Sequence, residues 1–183
     1  MFKRFYRSIF TVRNNFYSKL RIIHLNLKYP KIRISTNCYI GKNCNILCMD
    51  NSQLILSNVY ISNNVTINSK NEGKIIINDS FIGQFSVIVA TKSIIIESGV
   101  AIAEMVTIRD QNHHHNLSDK LIENQGFDTA PIIIRRNVWV GAKVTILKNV
   151  EIGKNSIIGA HSLVNKSMEE NSVYAGIPAK KIK

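Results

Sequence analysis

Three consecutive histidines, His113, His114 and His115, lie in the one long stretch where an otherwise regular chain loses its rhythm. Imidazole takes up and returns a proton near neutral pH without special help, so one histidine here is a candidate general acid/base. Asp110, three residues ahead of His113, is spaced to accept its second ring N–H and fix tautomer and orientation. Metal binding is the rival chemistry. Neighbouring side chains on an extended segment point in alternating directions, so the triplet is poorly arranged for one ion, and no zinc-type spacing accompanies it. A polar surface loop without chemistry is the third reading. Trp139, the only tryptophan, follows the loop closely and is either a packing aromatic or a substrate platform.

The elements that must position these residues are written in a period of six. From Ile134 onward every sixth residue is aliphatic: Ile134, Val140, Ile146, Ile152, Ile158 and Val164. The same spacing runs upstream through Ile34/Ile40/Ile46, Ile55/Ile61/Ile67, Ile76/Ile82/Ile88 and Ile96/Ile102/Ile108. Six fits neither a helix nor a flat strand. It predicts one short strand and one corner per unit, three units per triangular coil, and stacked coils that bury a ladder of Ile and Val. The expected class is therefore all-β, a parallel β-helix; a sandwich would show period-two alternation instead. Four places after most of the inward residues stands a small or β-branched one, such as Cys38, Cys44, Ser86 or Val144. Glycine often follows the inward residue directly (Gly41, Gly83, Gly141, Gly153, Gly159), where a side chain would hinder the turn. Between Ile108 and Ile134 the count exceeds two units, and the excess, residues 109–131, predicts a long loop extruded from a rigid coil.

With 183 residues, the chain holds one domain plus a short appendage. The expected division is a basic amphipathic helical segment over 1–33 and the β-helix over 34–183, with a C-terminal tail at 165–183. Cys38, Cys44 and Cys48 are odd in number and form no CxxC pair, which reads as core filling in a reducing compartment. The abundance of Asn and Ile is assigned to the base composition of the source as much as to function. The formal charge is +12, and residues 1–33 carry nine Lys and Arg with no acid, interleaved with Phe2, Phe5, Tyr6, Phe10, Phe16, Tyr17 and Leu20. Two roles stand side by side. The segment leans on an anionic membrane surface or anionic polymer, or its aromatic face packs on the first coil and caps the solenoid. No apolar run suits a signal peptide or membrane span, and no nucleic-acid motif accompanies the charge. The expected location is cytoplasmic, with peripheral contact at the inner membrane surface as an option.

The ordered pieces Ile108-Arg-Asp-Gln-Asn-His113, Phe127-Asp-Thr-Ala-Pro131, Asn137-Val-Trp-Val-Gly-Ala142, Ile158-Gly-Ala-His-Ser-Leu-Val164 and Ala175-Gly-Ile-Pro-Ala-Lys180 resemble the hexapeptide-repeat acyltransferases with a left-handed β-helix. Within that family the likeness is to O-acetyltransferases of capsular and other surface polysaccharides, and it covers roughly residues 34–183. It implies a homotrimer with sites in the grooves between neighbouring coils, acetyl-CoA as co-substrate donor, a glycan acceptor, and no metal. It places the catalytic histidine on His113, with His115 as the fallback, and Trp139 in the acceptor and thioester region. Gly141, Ala142 and Ala160 match cofactor-contacting turns, and Lys166 and Lys180 are placed to meet phosphates. Two departures stand out: Asn149 and His161 replace common glycines.

On that reading His113 takes the proton of a sugar hydroxyl as its oxygen attacks the thioester. A backbone N–H near the Gly141–Ala142 turn receives the oxyanion. Two other classes remain open. One is an N-acyltransferase acting on an amino-sugar nucleotide or other small acceptor. The other is a non-catalytic or metal-dependent β-helix of the carbonic-anhydrase type, which needs well-separated histidines where only His24, the triplet and His161 exist.

Overall fold

The computed structural model describes residues 11–115 and 119–183; the part of the expected basic helix within residues 1–10 lies outside them. One turn of the chain shows how the period of six becomes a solid. Ile32–Ile34, Tyr39–Ile40 and Asn45–Cys48 are three short strands separated by corners. Each pairs in parallel with its counterpart one coil later, giving three sheets that form the faces of a left-handed triangular prism. In the second sheet the inward residues stack in one line, Ile40, Ile61, Ile82, Ile102, Val140 and Ile158. All six are at most 1% exposed. Each buried aliphatic side chain contributes about 1.5–3 kcal/mol relative to exposure, and none of them could be covered within its own coil.

The period drifts in two places. Ile55 and Ile76 are half-buried, while Leu54, Leu56, Ile75 and Ile77 fill the interior. The cause is a longer first strand in these coils, Gln53–Ser57 and Lys74–Asn78, followed by a corner one residue shorter than that after Ile34. Coil lengths accordingly shrink along the chain. Ile32 pairs with Leu54, Leu54 with Ile75, and Ile75 with Ile94, whereas Ile132 meets Val150 after three whole hexapeptides.

The corners explain the asparagines. Asn58, Asp79, Asn137, Asn155 and Asn171 all adopt positive φ at the corner between the first and second sheets, a conformation that Asn and Asp tolerate better than most residues. They also bond one another up the column, Asn137 to Asn155 and Asn155 to Asn171 at 2.9 Å each. Base composition is therefore not needed to account for them. The inward-side glycines have a different cause, since none of Gly41, Gly83, Gly141, Gly153 and Gly159 has positive φ. At Gly141 an added Cβ would lie 2.7 Å from the Ala160 nitrogen and 2.8 Å from the Ile158 oxygen. The next coil, and not the turn, excludes a side chain there. The three cysteines are free. Burial pushes the Cys44 thiol above its ordinary pKa, which keeps it protonated and a poor nucleophile.

Both ends of the prism are closed. Helix α1, Thr11–Lys28, lies under the first coil with Ile22 and Ser18 buried. Its side chains act as a substitute strand. Asn26 both accepts from the Ile34 N–H and donates to the Ile34 carbonyl, each at 2.9 Å. Ser18 accepts from the Ile40 N–H at 2.8 Å, and Arg21 donates to the Ile40 carbonyl at 3.0 Å. Backbone groups that an open edge would leave unpaired are thus satisfied. Capping is done by this aliphatic and polar face; of the aromatic residues expected to do it, Phe16 and Tyr17 are exposed, and Phe2, Phe5, Tyr6 and Phe10 lie outside the described residues. At the far end Val173–Ala175 adds to the second sheet, and Lys180–Lys181 pairs with it antiparallel. No helix among the described residues is long and apolar enough to cross a membrane.

Candidate active site

The chain leaves the fourth coil after Arg109 and re-enters at Ile132 in register, Ile94 against Ile132 and Ile96 against Ile134. Between these points it forms a narrow two-stranded arm. Gln111–His113 pairs antiparallel with Phe127–Thr129, with His113 opposite Phe127. The His114 N–H donates to the Gly126 carbonyl at 3.1 Å. The His113 ring is exposed and rests 4.4 Å from the Phe127 ring, tilted by 48°. Phe127 is itself covered by the Lys70 ammonium, 5.1 Å from its centroid. The Phe127 ring thus packs against one side of an otherwise exposed imidazole. His115 is exposed beyond the paired segment.

Asp110 does not orient His113. Its side chain is fully buried at the base of the arm, and its carboxylate accepts three backbone N–H groups: Thr91 at 2.8 Å, Lys92 at 2.7 Å and Ser93 at 2.7 Å. The physical reason lies in the corner below. Where the third coil passes into the fourth, only Thr91 and Lys92 separate two strands, and this tight reversal presents three donors with no strand to receive them. A buried carboxylate satisfied by charge-assisted bonds answers that need. The expected pairing with His113 is corrected accordingly: Asp110 is the rivet that fixes the arm to the prism.

A second tether joins the arm to the coil above. Lys148 reaches Asp128 at 2.7 Å, and its hydrogen bond holds the Asp128 carboxyl below the usual carboxylate range. Lys70, Phe127 and Lys148 were not foreseen as parts of the site. The pair Phe127-Asp128 was visible in the loop motif, but its lysine partners belong to corners of other coils, and no spacing in the sequence connects them.

The remaining expected residues gather elsewhere. Trp139 stands in the second sheet, 55% exposed, directly above Ala101. Gly141 and Ala142 begin the corner between the second and third sheets, with Ala160 one coil above. Gly141 is buried and its N–H donates to the Ile158 carbonyl at 2.9 Å, so neither its side nor its N–H faces a ligand. His161 and Asn149 both adopt positive φ, 59° and 62°, which is why glycine is the usual occupant of such positions. Lys180 is exposed opposite Ala175, whose Cβ sits over Gly159. Lys166, also exposed, follows the last strand of the third sheet and so lies at the arm's corner, apart from Lys180.

Two clusters result, and the prism keeps them apart. The arm with His113 leaves from the corner joining the third and first sheets. Trp139 and the Ala142–Ala160 wall belong to the second sheet and its edge, across the prism from that corner.

Comparison with known proteins follows the same lines. Residues 131–166 match the family model for the bacterial transferase hexapeptide (six repeats), the segment where the coils are regular. The galactoside O-acetyltransferase of Escherichia coli (strain K12) is 40% identical over 98 residues, 52% of this chain and 46% of that protein. The chain spans about half the length of the curated relatives it matches. Among solved structures, an acetyltransferase specific for polySia, NeuO, superposes with a TM-score of 0.61 at 27% identity, covering 83% of this chain and 69% of that one. AntD, an N-acyltransferase from Bacillus cereus solved with dTDP and 3-hydroxybutyryl-CoA, gives 0.72 at 22% identity over 87% of each chain, a likeness of fold alone. In repeat and fold the chain is a left-handed hexapeptide-repeat β-helix, similar over residues 131–166 to the bacterial transferase hexapeptide family and, over part of its length, to acetyltransferases in sequence and structure.

Proposed function

We propose that this protein is an acetyl-CoA-dependent O-acetyltransferase acting on a sugar hydroxyl of a surface polysaccharide, with His113 as general base. The observation that carries the reading is the presentation of His113: exposed, packed against Phe127, and mounted on an arm fixed at its base by Asp110. The likeness to the galactoside O-acetyltransferase supports the reaction class. Net positive charge suits an acidic glycan by long-range attraction. The active assembly is a trimer in which each arm meets a neighbour's wall.

The steps follow from these parts. The imidazole of His113 takes the hydroxyl proton as the sugar oxygen bonds to the thioester carbonyl carbon. Charge moves to the carbonyl oxygen, where the Ala142 N–H of the facing wall stabilises it. The tetrahedral species then expels the CoA thiolate, and the imidazolium returns its proton to sulfur. General-base assistance contributes about 10²–10⁴-fold, and an oxyanion donor a further ~10²–10³-fold. Trp139 lies within reach of a thioester held along the same wall. Lys180 and Lys166 supply cations for phosphate groups, the latter from the arm's side.

The test is CoA release from acetyl-CoA with a panel of acidic and neutral bacterial glycans and an amino-sugar nucleotide, wild type beside His113→Ala. Glycan-dependent release that disappears in the variant supports the reading, and the responsive glycan identifies the acceptor class. Release with the amino sugar alone replaces it with N-acylation; acetyl-CoA that does not bind at all removes acyl transfer altogether.

A further inference from the structure

Helix α1 carries two largely apolar stripes, and among the described residues the fold covers only one. Ser18, Ile22, Leu25 and Tyr29 face the first coil, with Ile22 and Ser18 buried and Leu25 and Tyr29 packed against the core. Phe16, Leu20, Ile23 and Leu27 repeat the same spacing on the other side and are 60%, 47%, 56% and 81% exposed. At ~100° per residue the two stripes lie on roughly opposite faces of the helix. Because the inner stripe closes the end of the prism, the outer one faces away from the protein. The apolar surface continues into a cleft of about 350 Å³ between the helix and the first coil, lined by Tyr17, Leu20, Ile40 and Ile46 among others.

Charge decides what this surface meets. Lys19 and Lys28 flank the outer stripe on its two sides, and residues 1–33 contain nine basic residues and no acidic one. A second copy docking here would set two such segments against each other, like charge on like charge. An anionic polysaccharide would satisfy the lysines and leave Leu27 and Ile23 in water. An anionic bilayer offers an acidic headgroup layer for the lysines and an acyl boundary for the stripe beneath it. We propose that the outer face of α1 docks the protein on an anionic phospholipid surface, with Phe16, Leu20, Ile23 and Leu27 in the interface and Lys19 and Lys28 among the headgroups. The prism then stands end-on, and at about 4.8 Å per coil its arm and wall sit on the order of 15–25 Å beyond the first coil. This docking is independent of the reaction proposed above.

The experiment is flotation of the full chain with phosphatidylcholine vesicles, with and without phosphatidylglycerol, at low and high salt. Binding is expected only with phosphatidylglycerol and is expected to weaken with salt. Replacing Phe16, Leu20, Ile23 and Leu27 together by Ser is expected to lower binding at least ~100-fold. Lys19→Gln with Lys28→Gln is expected to lower it about tenfold or more. Circular dichroism should be unchanged in both, because Ile22, Ser18 and Asn26 are untouched, and the lysine pair keeps the test decisive if the quadruple variant misfolds. Wild-type protein that fails to float with anionic vesicles overturns the proposal. So does binding indifferent to both variants, or a sedimentation mass that drops when the stripe is replaced, which would assign the stripe to self-association. CoA release by the lysine variant with a soluble acceptor separates loss of docking from loss of catalysis.

Discussion

The arm and the wall that faces it in the proposed assembly are built on opposite terms. On the arm, His113 packs against a single aromatic ring and pairs through one short antiparallel ladder, while the coils below draw on the arm through Asp110 at its root. On the wall, Trp139, Gly141 and Ala142 belong to strands and corners that carry the stacking of the coils themselves. A side chain at the arm's tip can thus be changed with little effect on folding, whereas the residues of the proposed wall are tied to the core. The corner columns show the same division. Between the first and second sheets, the described residues with positive φ are Asn, Asp or Gly. Between the second and third, Asn43 and Asn64 give way to Phe85, Met105, Lys143 and His161, all with φ near +60°. Side chains that strain the backbone are tolerated on the edge that carries the wall, at a cost of order 1–3 kcal/mol each.

The contrast can be broken or sharpened by substitution. The largest effect is expected from His113→Ala: CoA release should fall about 10²–10⁴-fold while the thermal midpoint stays put. Loss of turnover in His115→Ala with His113→Ala active would move the base along the arm. Gly141→Val should do the reverse of His113→Ala, lowering stability in denaturant titration by about 1–3 kcal/mol, because its Cβ meets the backbone of the coil above. Asp110→Ala lies between the two. Three N–H groups lose their acceptor, at up to about 1–3 kcal/mol for each that stays dry in unfolding experiments, and limited proteolysis should cut the arm faster. If stability were untouched, the rivet assignment would fail. Trp139→Ala is expected to raise the KM for acetyl-CoA or acceptor several-fold with little change in melting; a collapse in stability would make it a packing residue.

The smallest effect belongs to the Lys148–Asp128 tether. Because the folded carboxyl titrates below its unfolded value, its contribution is present above the ordinary Asp range near 3.9 and disappears as pH falls through the folded pKa. Asp128→Asn should therefore make the arm slightly more protease-sensitive at neutral pH and leave it indistinguishable from wild type in acid.

How much of this could be read from the chain varies with the range of the interaction. Ile134, Val140, Ile146, Ile152, Ile158 and Val164 were placed inward by spacing alone, and all are at most 1% exposed. The same rule misplaced Ile55 and Ile76, because a corner shortened by one residue turns the next strand over and leaves the count of six superficially intact. The arm announced itself as a break in rhythm. What joined it to the prism did not: Asp110 looked like a partner for His113 because the two are three residues apart, whereas its real partners, Thr91 to Ser93, are neighbours only through coiling. Likewise the nine positive charges of the first 33 residues marked the N-terminal segment, but only packing revealed that Ile22 and Asn26 close the prism while Phe16 and Leu27 face outward.

The register across the arm has a consequence for how such molecules diversify. Ile94 meets Ile132 as squarely as Ile75 meets Ile94, although the intervening chain is twice as long. To the scaffold the arm is an interruption of no mechanical weight, and doubling its length would add only about 0.6 kcal/mol of closure entropy. It therefore behaves as an exchangeable cassette. A segment of different length and sequence, grafted between Arg109 and Ile132 with an aspartate kept at its root, should leave every rung above and below in place while giving the same prism a new acceptor.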